Sequence, residues 1–387
     1  MMKRILAIVV FNTLSTAFCL AEDWMGQLDD NAFLAQVSIP GTHDSATGEG
    51  WTGMLGEMFG PSMGVTQDLN IAQQLDCGVR AFDLRPCVVE NELVINHGIL
   101  QTKAKFAETL RQLCQFVTNH PTEFVVVVMR HESDGDDNSS QWNSKMSNCL
   151  NSEDVRPMLA DYKRDITVGE LRGKVLVLSR DKYGNTPVGG FITGWGHKAD
   201  YVSGTIKGPV GMAGTFYVQD FYEVLENMTS KLNGIDKLLD FSTQNTVYRG
   251  GRHLVVCINC ASGYTASAST DGNRDNAAQC NKHILDYLAD EAHAGPTGII
   301  FMDFAGTDTS ESYEVKGLEL VNTIISNNQR YVPVKNGEDT GIGDAVRLNN
   351  NEQIIKNKVY DLYGREQSQQ SRCPAIIIEH GRKTLVR

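Results

Sequence analysis

The amino-acid sequence predicts an α/β fold whose parallel strands close into a (β/α) barrel, followed by a small C-terminal β-module. Three observations carry this. Short uninterrupted apolar runs such as residues 124–129 (FVVVVM) have the β-branched composition of strands buried on both faces, the habit of parallel sheets. Segments with helical periodicity separate most of these runs, so strand and helix alternate. Polar or charged residues stand at or just after the C-terminal end of nearly every run: His43, Arg85, Arg130, Arg180, Asp220 and Asp303. Drawing side chains from many strand ends to one face is the mark of a barrel. An open sheet would draw them from strands beside one switch point, and no GxGxxG cradle follows the first strand.

In chain order, residues 1–21 read as a cleaved export signal, with a basic start at Lys3 and Arg4, an apolar core and small residues where signal peptidase cuts. The run is short for a membrane span, and Phe18 argues against a lipid anchor on Cys19. The expectation is a secreted or cell-surface protein rather than a periplasmic or lipid-anchored one. Residues 37–39 begin a strand that Pro40-Gly41 stops, which presents His43 and Asp44 on the next turn. An insert follows in which Trp51, Met54, Leu55, Met58, Phe59 and Met63 are spaced as a rim helix that dips into lipid, or as one that packs onto the barrel. Residues 79–86 and 93–98 add two more strands with their turns, which bring Asp83, Arg85 and His97. Further strands are expected at 124–129, 175–178, 254–258 and 298–302, and helices at 105–119, 141–150, 223–239, 275–293 and 314–327.

Composition bounds the function. The net charge is −12, which disfavours nonspecific nucleic-acid binding and electrostatic recruitment to anionic lipid. Nine cysteines are present, eight of them beyond residue 21, an even number compatible with disulfides in an exported chain. Cys257-x-x-Cys260 with Cys280-x-x-His283 has roughly zinc-ribbon spacing. Because Cys257 lies in an apolar run and Cys280 in a helical pattern, a Cys260–Cys280 disulfide or buried thiols are the preferred reading. His120, His131, His197, His253, His293 and His380 fit no motif and read as ordinary polar residues.

The segments SIPGTHDSAT, VRAFDLRPC, LVINHG, VVVVMRHE, VLVLSR, FYVQDFY and GIIFMDF resemble, in consistent order across residues 24–332, the bacterial phosphatidylinositol-specific phospholipases C with the X-type catalytic domain. The resemblance implies a single distorted TIM-type barrel. It implies His43 as the base for the inositol 2-hydroxyl and His97 as the acid for the diacylglycerol oxygen. Arg85 would hold the phosphate, Asp303 would orient His43, and Asp44 and Asp83 would position Arg85 and His97. Arg130, Arg180 and Asp220 would bind ring hydroxyls, with Tyr222 packing on the ring. Arg85 stands where calcium-dependent relatives hold a cation, so no cofactor and no catalytic metal are expected. The implied partner is phosphatidylinositol or a glycosylphosphatidylinositol lipid at a transient membrane interface, met by a monomer. Competing readings are a noncatalytic inositol-phosphate or lipid-binding module and a glycerophosphodiester phosphodiesterase, which would need more carboxylates than FDLRP supplies. Residues 333–387 change in texture. They read as a linker and a small β-module whose YDLxGR turn and final GRK hairpin resemble C-terminal sorting modules of exported proteins from Bacteroidetes-type bacteria.

Overall fold

The structure of the chain is a computed structural model that describes residues 23–333 except 185–187, 226, 247–253 and 267, together with the backbone of four short strands beyond residue 358. The expected export signal and nearly all of the linker lie outside the described residues.

After two short 3-10 turns at Trp24–Gln27 and Leu34–Gln36 come β1 (Ser38–Thr42), α1 (Gly53–Met63), α2 (Ile71–Asp76) and β2 (Ala81–Leu84). Three strands, β3 (Pro86–Val89), β4 (Glu92–His97) and β5 (Leu100–Lys105), then leave the barrel as a separate antiparallel sheet. Next come α3 (Phe106–Asn119), β6 (Val125–Met129), α4 (Trp142–Leu150), β7 (Leu159–Ala160), α5 (Val168–Leu171), β8 (Val175–Ser179), β9 (Gly190–Thr193), β10 (Val202–Lys207) and β11 (Gly214–Gln219). The last part alternates as α6 (Met228–Ser242), β12 (Val256–Cys260), α7 (Thr270–Ala289), β13 (Gly298–Met302) and α8 (Gly317–Asn327). Strands β14 (Val359–Tyr360), β15 (Glu366–Gln367), β16 (Ala375–Glu379) and β17 (Arg382–Val386) form their own antiparallel sheet in the order β15-β14-β16-β17.

The barrel runs β6-β2-β1-β13-β12-β11-β10-β9-β8 and is closed by the parallel pairing of β8 with β6. It departs from the all-parallel expectation at one place. Strand β10 is antiparallel to both β9 and β11, and no helix separates these three. Its residues alternate between exposed and half-buried, with only Ile206 fully buried, unlike the fully buried β6, β8 and β13, so this wall is covered on one face only. The valines of β6 and β8 meet in register from Val125–Val175 to Val128–Leu178 and form the centre of the core.

Strand β1 also runs further than expected, through Pro40-Gly41 to Thr42. The missing Pro40 N–H is tolerated because β1 is in register with β2 only at Gly41 and Thr42. Gly41 must be glycine, since a Cβ there would come within 2.9 Å of both Ala81 and Phe301. At the opposite end of the barrel a fully buried Arg80–Glu123 pair (2.8 Å) ties the start of β2 to the strand entering β6. Breaking such a pair costs about 3–5 kcal/mol, so this end reads as structural.

The described cysteines are free thiols, Cys260 and Cys280 included, and burial pushes the Cys280 thiol up to about 12. Cys257 instead sits against Asn245 and the Val255 carbonyl, so the buried-thiol reading holds and the disulfide does not.

Candidate active site

Each of His43, Arg85, Arg130, Arg180, Asp220 and Asp303 is the residue that immediately follows a barrel strand, respectively β1, β2, β6, β8, β11 and β13. Parallel strands that end together bring these side chains to one mouth. His97 arrives differently, as the last residue of β4 in the separate sheet. The turn after β1 passes through the left-handed region at Asp44 (φ 42°), a conformation that aspartate tolerates better than most residues. Buried Gln67 holds that turn. Its amide donates to the carbonyls of His43 and Met302, both at 2.9 Å, and its oxygen accepts from Ala305 N–H. One side chain thus staples the turn carrying His43 to the turn carrying Asp303, and nothing in the sequence pattern marks it.

The two histidines stand edge to face with ring centroids 6.4 Å apart. His43 Nδ1 lies 2.8 Å from Asp303 Oδ1, and its Nε2 lies 3.1 Å from Asp44 Oδ2. Burial opposes charge on this ring, but the carboxylates of Asp44 and Asp303 outweigh it and raise the pKa to about 9. His97 Nε2 is 3.5 Å from the same Asp44 oxygen, and its Nδ1–H donates to the Gly64 carbonyl at 2.9 Å, which fixes Nε2 as the exchanging nitrogen. Arg85 places Nε 2.9 Å from Asp44 Oδ1 and a terminal nitrogen 2.9 Å from Asp83 Oδ2. Desolvation would raise the Asp44 carboxyl, but Arg85 and then the two histidines hold it below the usual range. Asp83 contacts Arg85 and the Asp44 N–H (3.3 Å), so it positions Arg85 and the turn, with no contact to His97 among the described ones.

A second group lies at the ends of β6, β8 and β11. Arg130 is 3.5 Å from Glu132, a buried carboxylate that also stands 3.8 Å from Arg85 and whose pKa burial raises. Arg180 lies over the Trp195 ring at 4.1 Å. Asp220 accepts from Trp195 Nε1–H at 2.7 Å and has His197 Nδ1 at 2.9 Å. Burial would raise the Asp220 carboxyl, but His197 and Arg180 hold it well below the usual carboxylate range. Tyr222 stands beside the His197 ring, 5.2 Å between centroids. His197, read from the sequence as ordinary, is therefore a correction: it belongs to this group. Glu132 was equally missed, although its neighbourhood in VVVVMRHE was legible.

At the rim, α1 exposes Met54, Leu55, Met58, Phe59 and Met63. Trp51 departs from the rim reading: it is buried beneath the helix, where a Cβ on Gly60 would meet its ring at 2.2 Å. Among the described residues no helix is long and apolar enough to cross a membrane. His43, Asp44 and Asp83 also offer three possible metal-ligand atoms within 4.8 Å of one another, but both carboxylates already bond the Arg85 guanidinium.

Fold and site together define a closed α/β barrel whose mouth pairs two histidines across an arginine–carboxylate cluster, chemistry matched to an anionic phosphodiester. Residues 37–181 match the family Phosphatidylinositol-specific phospholipase C, X domain. The 1-phosphatidylinositol phosphodiesterase of Staphylococcus aureus is 24% identical over 316 residues, covering 80% of this chain and 94% of that one. The corresponding Listeria monocytogenes protein is 29% identical over 164 residues, 41% of this chain and 49%, about half, of the relative. The crystal structure of a Staphylococcus aureus phosphatidylinositol-specific phospholipase C superposes with a TM-score of 0.63 at 21% identity, covering 79% of this chain and 96% of that one. A further structure of that phospholipase concerns modulation of its membrane binding. Residues 37–181 are thus similar to the X domain of phosphatidylinositol-specific phospholipase C, and the fold shared with the Staphylococcus aureus enzyme extends over 79% of the chain.

Proposed function

We propose that the chain cleaves phosphatidylinositol to diacylglycerol and inositol 1,2-cyclic phosphate by general acid–base catalysis without a metal ion. The observation that carries the reading is the placement of Arg85 and Asp44 between His43 and His97, each nitrogen within a few ångströms of the shared carboxylate. His43 Nε2 takes the proton of the inositol 2-hydroxyl, whose oxygen attacks phosphorus. His97 Nε2 gives a proton to the glycerol oxygen as its bond to phosphorus breaks, so one proton is taken and one returned. The Arg85 fork stabilises the charge on the phosphorus oxygens. Asp303 holds the His43 tautomer, while Asp44 and Asp83 hold Arg85. Arg130, Arg180 and Asp220 bind ring hydroxyls, and Tyr222 packs on the ring face.

The apolar side chains of α1 support docking on a lipid surface without attraction to anionic head groups, consistent with the net charge of −12. Residues 1–21 direct export, and the protein works as a monomer outside the cell or on its surface, where glycosylphosphatidylinositol lipids are a second candidate substrate.

The test is release of inositol 1,2-cyclic phosphate from phosphatidylinositol in detergent micelles, with EDTA and then with calcium. Rapid cyclic product in EDTA is the expected result. A requirement for calcium would overturn the role of Arg85, and no product from folded protein under either condition would overturn catalysis itself.

A further inference from the structure

The antiparallel hairpin that interrupts the barrel brings one more side chain to the ring pocket. His197, in the loop between β9 and β10, touches three of the residues placed there. Its Nδ1 lies 2.9 Å from Asp220 Oδ2, its Nε2 lies 3.4 Å from a terminal nitrogen of Arg180, and its ring stands at 84° to that of Tyr222. Trp195, two residues earlier, donates to the same Asp220 oxygen and lies beneath the Arg180 guanidinium. The tautomer follows from the partners. An ionised carboxylate only accepts and a guanidinium only donates, so Nδ1 carries the proton and Nε2 presents its lone pair to Arg180. Both loop donors converge on Oδ2, and neither takes Asp220 Oδ1.

We propose that His197 is a specificity-determining residue for the ring. It fixes Asp220 as an acceptor and Arg180 as a donor at a set separation, so that neighbouring hydroxyls of correct stereochemistry satisfy both. A ring with one hydroxyl inverted leaves one of the two charged groups without its partner, and sites built on hydrogen bonds reject such ligands strongly. The inference rests on the phospholipase reading and deepens it. His197 is a positioning residue here: it acts through Asp220 and Arg180, away from the phosphorus.

The test uses the 4-methylumbelliferyl ester of myo-inositol 1-phosphate, a water-soluble phosphodiester, with wild type, His197→Ala and His197→Asn. Losing a hydrogen bond to a charged group predicts a KM about tenfold or more higher in His197→Ala, with kcat within about threefold. His197→Asn keeps a donor near the Nδ1 position and recovers most of the loss. Inhibition by myo-inositol relative to epi-inositol, which inverts one hydroxyl, adds a second readout, and the preference for myo-inositol collapses in His197→Ala. An unchanged KM, a fall in kcat and kcat/KM together, or an unchanged stereochemical preference overturns the proposal. Should wild type leave the ester uncleaved, the phospholipase reading falls, and calorimetric titration with myo-inositol still judges His197. Weaker binding in His197→Ala then supports its role, and equal binding overturns it.

Discussion

Asp303→Asn isolates the electrostatics of the proposed base, His43. In the folded protein His43 titrates near 9, above its ordinary 6.5, because two carboxylates outweigh the cost of burial. At pH 7 a group with that pKa is neutral in only ~1% of molecules, so kcat/KM is expected to rise from neutral pH towards 9. One contacting carboxylate is worth ~1–3 units, and Asp303 supplies both a charge and a 2.8 Å hydrogen bond. Replacing it with asparagine retains an acceptor for Nδ1–H and removes the charge. The His43 pKa then falls, the base form appears at lower pH, and the acid limb of kcat/KM moves down by ~1–2 units. The plateau also falls, by as much as ~10⁴-fold, because an amide can also stabilise the wrong tautomer. The assay is turnover of the soluble inositol phosphodiester from pH 5 to 10, with circular dichroism to confirm the fold. An acid limb that stays in place while the plateau drops would refute the assignment of that limb to a His43 held by Asp303.

Arg85→Lys keeps the charge but loses the fork between Asp44 and Asp83, and kcat is expected to fall by ~10²–10³ with the thermal midpoint little changed. Arg85→Ala leaves two buried carboxylates uncompensated and should also lower stability, by about 3–5 kcal/mol in denaturant titration. His97→Ala should slow phosphatidylinositol cleavage far more than cleavage of a p-nitrophenyl ester, whose leaving group needs no acid; equal losses on both would remove His97 from the acid role. Phe59→Asp on α1 should lower sedimentation with phosphatidylcholine vesicles and activity on vesicle substrate, while turnover of the soluble ester is retained.

Much of this arrangement is legible along the chain because parallel strands write it locally. A buried β-branched run followed at once by a charged residue identifies Arg130, Arg180 and Asp303 without knowledge of any partner strand. His43 and Arg85 follow the same rule, helped by the turn chemistry of Pro40-Gly41 and Pro86. The rule fails where the barrel departs from its own pattern. Strand β10 (VSGTIK) is half exposed and antiparallel, so the hairpin that delivers Trp195 and His197 looks like a polar, glycine-rich loop. Gln67 is invisible for another reason, since its partners are backbone groups, while Glu132 stands beside Arg130 in VVVVMRHE but its approach to Arg85 is not written in the spacing. Trp51 misleads because an aromatic in an exposed-looking insert gives no sign that Gly60 and Gly64 leave room for its ring underneath.

The residue capping α1, Gly64, offers its carbonyl to His97 Nδ1 at 2.9 Å, which ties the proposed lipid-facing helix to the proposed acid by one hydrogen bond. The helix lies flush on the β5 backbone at Gly56, where a Cβ would meet the Gln101 carbonyl at 2.6 Å, so it has little room to tilt alone. The exposed apolar face and the hydrogen-bond partner of the His97 imidazole are therefore parts of one rigidly seated element. One short segment thus carries both the keel and the pin that holds His97 in its tautomer.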